Sequence, residues 1–166
     1  MVPALPYSNE RRTNGMGVVI RRFQDPDFNA IVALEQGERR NRYGAAVFVR
    51  QSAALYPQTF LVADHNGMTT GYTVGAEVQD DAATAWVIRL NVARQWQGQG
   101  TGTALITRLI AELANRQVRH IFLSVAPDNI PAKKIYDCLG FVKVAHQSGY
   151  FSQGEDRDIM RYVVNG

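Results

Sequence analysis

From Leu90 to Gly102 an apolar, strand-like segment ends at Val92, passes through Arg94, Gln95 and Trp96, and meets three glycines at alternate positions, Gly98, Gly100 and Gly102. In the stretch that follows, Leu105, Ile106, Leu109, Ile110 and Leu113 recur at helical spacing, so the segment reads as a strand, a glycine turn and an amphipathic helix pinned to a sheet. No other part of the chain restricts the fold as closely. Glycines carry no Cβ, so the turn can bend sharply and its N–H groups can approach a ligand. The helix starts at about Gly100, where the first N–H groups lack an intrahelical partner and the helix dipole favours negative charge. The segment therefore predicts a phosphate cradle. A plain strand-to-helix connection would also use glycine, and the turn alone does not separate the two.

Familiar glycine-rich loops can be tested against the letters. A Walker A loop is excluded because no Gly-Lys-Ser or Gly-Lys-Thr follows. A dinucleotide fingerprint counted from Gly98 and Gly100 would put its third glycine on Thr103, and the segment lies mid-chain without an opening βαβ unit. The pattern Gln97-x-x-Gly100-x-Gly102 instead resembles the acyl-CoA signature of the GNAT acyltransferase superfamily. A second motif agrees with it. Leu123 to Asn129, followed by Ala132, Ile135, Tyr136, Leu139, Gly140 and Phe141, resembles that superfamily's strand, Asn-containing loop, Tyr-bearing helix and Gly-Phe exit. The resemblance covers nearly all of residues 17 to 164, and the tail Phe151 to Met160 looks like the closing segment of ribosomal-protein N-terminal acetyltransferases.

The resemblance implies an α/β (α+β) fold with one mixed, mostly antiparallel sheet of about seven strands, helices on both faces, and a splayed strand pair that binds CoA. It implies acetyl-CoA as cosubstrate, no metal, and a primary amine as acceptor, with transfer direct through a ternary complex. Leu90 and Val92 would pair with the pantetheine arm. Gln97, Gly98, Gln99, Gly100, Thr101, Gly102 and Thr103 would hold the pyrophosphate, and Asn129 would bond the arm. A helix cap is nearly as compatible with the position of Asn129. Lys133 and Lys134 could reach the nucleotide phosphates, although solvated lysines on a helix are commoner. Tyr136 stands where family members place the residue that protonates or hydrogen-bonds the CoA sulfur. A phenol of ordinary pKa, roughly 10, can donate at neutral pH.

Composition fits one domain, residues 17–166, behind a loose extension over residues 1–16, since 166 residues at 46% apolar bury one sizeable core. Neither a transmembrane run nor a signal-peptide core is present, which points to the cytoplasm and to no membrane partner. The lone cysteine, Cys138, cannot form an internal disulfide and reads as a buried small hydrophobe. The net charge of +3 rests on 15 arginines and three lysines, dispersed apart from pairs at 11, 12 and 21, 22 and the cluster Arg39, Arg40, Arg42. Without a basic stripe or interleaved aromatics, nucleic acid is not expected, while a modest positive balance suits polyanionic CoA. A homodimer stays open.

Along the chain, Val18 to Phe23 reads as a strand, and Asp25-Pro26 as the cap and first turn of a helix running toward Gln36. A second helix is expected over Ala45 to Ala54. The runs Phe60 to Ala63 and Gly71 to Val78 flank His65-Asn66-Gly67, a hairpin signal. In Thr84 to Val92, strict alternation puts Trp86, Ile88, Leu90 and Val92 on one side and Val87, Arg89 and Asn91 on the other. After the glycine turn come the long helix, the strand His120 to Val125, the helix Ile130 to Leu139, and closing strands near Phe141 to Gln147 and Asp158 to Val163.

Deprotonating an ammonium requires a carboxylate, a histidine or a water chain. Glu77 is the first candidate for the base and His120 the second, although an exposed strand Glu and a structural strand-end His are equally ordinary. Peptide N-terminal acetyltransferases of this look usually carry Glu five positions before the motif Asn. Ser124 stands there, which leaves small-molecule amines as open as a protein N-terminus. The loop from Arg39 to Ala45 and the segment Gly149 to Asp158 are expected to line the acceptor side. A non-catalytic acyl-CoA sensor or regulatory module is the alternative; it would keep the cradle without needing Tyr136.

Overall fold

The computed structural model describes residues 17–37 and 41–165. The expected loose extension over residues 1–16 and part of the loop from Arg39 to Ala45 lie outside the described residues. The elements run β1 (Val18–Arg22), α1 (Phe28–Gln36), α2 (Arg42–Leu55), β2 (Phe60–His65), β3 (Met68–Val78), β4 (Asp81–Val92), α3 (Thr101–Asn115), β5 (His120–Val125), α4 (Ile130–Leu139), β6 (Val142–Gln147) and β7 (Arg157–Val163). Seven strands form one sheet in the order β1-β2-β3-β4-β5-β7-β6. Every pairing is antiparallel except β4 with β5. Among the described residues no helix is long and apolar enough to cross a membrane.

Two cores sit on opposite faces of the sheet. On one, Leu105, Ile106, Leu109 and Leu113 of α3 and Tyr136 of α4 pack on Leu61, Ala63, Ala85, Val87, Ile121 and Leu123. On the other, Ile31 and Val32 of α1 and Ala45 and Val49 of α2 cover Phe60, Val62, Tyr72 and Val74. The β2–β3 turn has positive φ at both Asn66 (51°) and Gly67 (85°), the backbone that Asn-Gly favours between twisted strands.

Several local readings need correction. Asp25 is an exposed partner of Arg50, and the buried Asp27 does the anchoring: it accepts from Gln24 N at 2.8 Å and from both terminal nitrogens of Arg21 at 2.7 and 2.8 Å. The second helix starts at Arg42, because Asn41 Oδ1 caps it by accepting from Gly44 N at 2.9 Å. Cys138 is exposed, since α4 turns Ala132, Ile135, Tyr136 and Leu139 inward and leaves positions 134, 137 and 138 outside. The alternation expected along β4 also breaks. Val74 pairs with Arg89 but Gly75 pairs with Val87, so Ile88 is an extra residue in a β-bulge. The bulge shifts parity: Ala85, Val87, Leu90 and Val92 all face α3, while Arg89 and Asn91 point to the α1–α2 face.

Candidate functional site

Strands β4 and β5 pair only at Thr84–His120, Ala85–Ile121 and Trp86–Phe122. Beyond these, β4 runs on through Val92 with β3 as its one strand partner among the described residues, Val92 O also accepting from the Gln97 side chain, and β5 runs on through Val125 with β7 as its one strand partner. The sheet is thus split, with unpaired strand edges facing each other across a gap. Strand edges in that state are ready to bond an extended ligand.

The glycine turn closes one end of the gap. Gly98 and Gly100 take left-handed φ of 72° and 83°, a backbone that side chains resist, and a Cβ at either would meet nothing within 4 Å. Gly100 is the N-cap of α3 and supplies no side-chain cap; the first helical bond is Ala104 N to Gly100 O at 2.9 Å. The N–H groups of Thr101, Gly102 and Thr103 therefore point out of the helix start without an intrahelical acceptor, as an anion site requires. Gly102 has a different reason to be glycine: a Cβ there would lie 2.9 Å from Ile135 Cδ1, so α3 and α4 touch at this point. Gln97 and Gln99 brace the turn, their amides donating to Val92 O and Gln95 O, both at 2.9 Å. The turn is thus held in part by its own side chains.

The other side of the gap is built by β5 and α4. Asn129 caps α4, its Oδ1 accepting from Ala132 N at 3.2 Å. Lys133, expected toward nucleotide phosphates, reaches Asp158 Oδ2 at 2.9 Å. Asp158 is a hub: its side chain is 1% exposed, and Lys143 Nζ and His146 Nδ1 meet its Oδ1 at 2.7 and 2.9 Å. Lys143, then His146 and Lys133, hold that carboxyl well below the usual range. Tyr136 is 6% exposed, packs against Phe141, and has its phenol pushed up to about 12 by burial. It is a protonated donor at neutral pH.

The structure gathers Leu90, Val92 and Tyr136 in one packed cluster and sets Gly102 of the turn against Leu90 and Val92, with Asn129 at the start of the helix that carries Tyr136. It does not bring Glu77 to them. Glu77 is clamped by Arg116, with Arg116 Nη2 at 3.0 Å from its Oε2, in an open polar cleft beside Gln58, Glu112 and Asn115. That cleft lies at the C-terminal end of α3, about 20 Å from the cradle at a rise of 1.5 Å per residue. His120 starts β5 where the strands still pair, at the closed end of the gap, and its buried Nδ1 lacks a partner. Among the described residues no group of three or more His, Cys, Asp or Glu is placed to hold a metal. The sequence reading missed the Asp158 hub, which joins residues 12 and 25 positions apart, and a cluster of Glu35, Tyr72, Arg89 and Asn91 on the opposite face. For Arg89 the one available signal was a charge inside an apolar run.

Residues 20–141 match the Acetyltransferase (GNAT) family. An uncharacterised N-acetyltransferase of Methanocaldococcus jannaschii is 28% identical over 144 residues, 86% of this chain and 90% of that protein. The ribosomal protein bS18-alanine N-acetyltransferase of Escherichia coli is 26% identical over 139 residues, 84% of this chain and 90% of that one. A crystal structure of an S18-alanine N-acetyltransferase from Escherichia coli superposes with a TM-score of 0.75, covering 90% of this chain and 95% of that chain at 25% identity. An acetyltransferase from Salmonella typhimurium, solved with acetyl-CoA, superposes with a TM-score of 0.73 over 90% of this chain and 95% of that chain at 22% identity. With that match spanning most of its length, the chain belongs to the GNAT acetyltransferase family.

Proposed function

We propose that residues 17–166 transfer the acetyl group of acetyl-CoA to a primary amine, directly and within a ternary complex. The observation that carries this reading is the coincidence of the β4–β5 gap with the uncapped start of α3. Backbone N–H groups of Thr101, Gly102 and Thr103 take the pyrophosphate, and the pantetheine arm lies along the edge of β4 that β5 leaves, at Leu90 and Val92. The amine enters from the α1–α2 face, because α3 and α4 fill the other. Its nitrogen lone pair attacks the thioester carbonyl carbon, the tetrahedral intermediate collapses with cleavage of the C–S bond, and Tyr136 gives its proton to the departing thiolate. The proton lost by the new amide nitrogen leaves through water and restores the phenol, so the amine is drawn from its neutral fraction. Neither Glu77 nor His120 is used in this scheme. The acceptor is a small-molecule amine or a protein N-terminus.

The test is release of free CoA thiol from acetyl-CoA with a panel of polyamines, amino acids, aminoglycosides and short peptides. Release with one class supports the reading. Acetyl-CoA binding without release on any member contradicts it in favour of a sensor.

A further inference from the structure

On the acceptor face, beside the unpaired edge of β4, stands a cluster that the transfer chemistry does not use. Glu35, in the last turn of α1, has its side chain only 14% exposed. Both of its oxygens are engaged: Oε1 lies 2.9 Å from Arg89 Nη2, and Oε2 accepts from the hydroxyl of fully buried Tyr72. Burial and the neighbouring carboxylate push the Tyr72 phenol up, so it stays a donor. The next inward-pointing residue of β4, Asn91, donates to Leu34 O at 2.9 Å and ties the same turn of α1 to the strand. Arg89 lies over the Phe48 ring of α2, 5.2 Å from its centre, and its side chain remains 45% exposed. The Ile88 bulge puts this guanidinium on the acceptor face, since strict alternation from Val87 would have sent it toward α3.

We infer that Arg89 is a specificity-determining residue, and that the acceptor is an amine carrying a carboxylate. This rests on the transfer reading given above. The guanidinium is held by an ion pair to Glu35 and lies over an aromatic ring, on a side chain that is still nearly half exposed. A guanidinium fork presents donors only, in a geometry that matches carboxylate oxygens. Glu35, the nearby carboxylate that would attract a polycation, is largely buried with each oxygen engaged, one by Arg89 and one by Tyr72. A polyamine or aminoglycoside brings more cationic charge to this edge and no acceptor that matches it. An amine with a carboxylate brings the complementary group and places its nitrogen toward the gap.

The experiment uses the full chain loaded with CoA and titrated with matched product pairs that differ only in the carboxylate: N-acetylalanine against N-acetylalaninamide, and Nε-acetyllysine against N-acetylcadaverine. The expected result is that the carboxylate member of at least one pair binds about tenfold or more tighter, as a charge-assisted hydrogen bond provides. Arg89→Gln should level the pair, Arg89→Lys should fall between, and acetyl-CoA affinity should stay unchanged in both. Equal affinities in the wild type, or a preference that survives Arg89→Gln, would overturn the inference. Should Arg89→Gln fail to fold, the wild-type preference and Arg89→Lys still decide. Thiol release on the matching free amines is followed in parallel: a carboxylate preference without release on any amine would refute transfer and leave the role of Arg89 standing.

Discussion

Gly102 in the first turn of α3 and Ile135 in α4 touch across the mouth of the gap: a Cβ on Gly102 would sit 2.9 Å from Ile135 Cδ1, with Leu90 and Val92 methyls at 3.8 Å. A single alanine methyl asks the end of Ile135 to yield, whereas Gly102→Val presses on all three side chains. Overpacking of this kind costs about 1–3 kcal/mol. Gly102→Val should lower the melting temperature and weaken acetyl-CoA binding together, because the displaced turn is the one that carries the cradle N–H groups. A thermal melt and a calorimetric titration check both.

Gly100→Glu separates binding from folding. The residue is exposed and a Cβ meets nothing within 4 Å, so the fold loses only the left-handed preference at φ 83°, about 1–2 kcal/mol. The added carboxylate stands where the pyrophosphate is proposed to lie. Acetyl-CoA affinity should fall at least tenfold while the chain remains folded by circular dichroism, whereas unaltered affinity would refute the cradle.

Tyr136→Phe keeps the packing against Phe141 and removes the hydroxyl. Turnover should drop about 100-fold, the lower range for a positioned acid, with little change in acetyl-CoA affinity. With the phenol at about 12, the wild-type rate should not decline through loss of the Tyr136 proton below pH 10. The rise of rate with pH should follow the pKa of the acceptor amine, and Glu77→Gln should leave that profile in place.

Asp158 fastens α4 to β6 and β7 through Lys133, Lys143 and His146. Its carboxyl is held lower in the folded chain than in the unfolded one, where a value near 4 is normal, roughly 3.9. The stabilisation is therefore complete above that unfolded value and is lost as pH falls toward the folded one. Asp158→Asn leaves the ammonium groups of Lys133 and Lys143 beside a neutral group and should cost about 3 kcal/mol, or roughly 6–12 °C in melting temperature at pH 7. The difference from wild type should shrink below pH 4.

What the sequence made legible was local or periodic. Asn66-Gly67 announced its hairpin because both residues tolerate positive φ, and the glycine turn announced itself because Gly98 and Gly100 take a positive φ that other residues resist. The Ile88 bulge was hidden, since one extra residue in an apolar strand leaves the letters alternating while the faces exchange. The setting of Glu77 was hidden for a related reason: its strand was known, but not the register that sets it against the far end of α3, where Arg116 takes it up. Cys138 was misplaced by its apolar neighbour Leu139, although the helix turns the two differently. The pairing of Lys133 with Asp158 depends on strands β6 and β7 folding back beside α4, which no local pattern records.

The gap between β4 and β5 is proposed to receive acetyl-CoA with its pyrophosphate on the start of α3. Amide hydrogen exchange, followed residue by residue with and without acetyl-CoA, tests it most directly. New protection is expected at the N–H groups of Thr101, Gly102 and Thr103 and along Leu90 to Val92, with little change in the cleft around Glu77 and Arg116. Protection confined to that cleft, or none at the start of α3 under saturating acetyl-CoA, would contradict it.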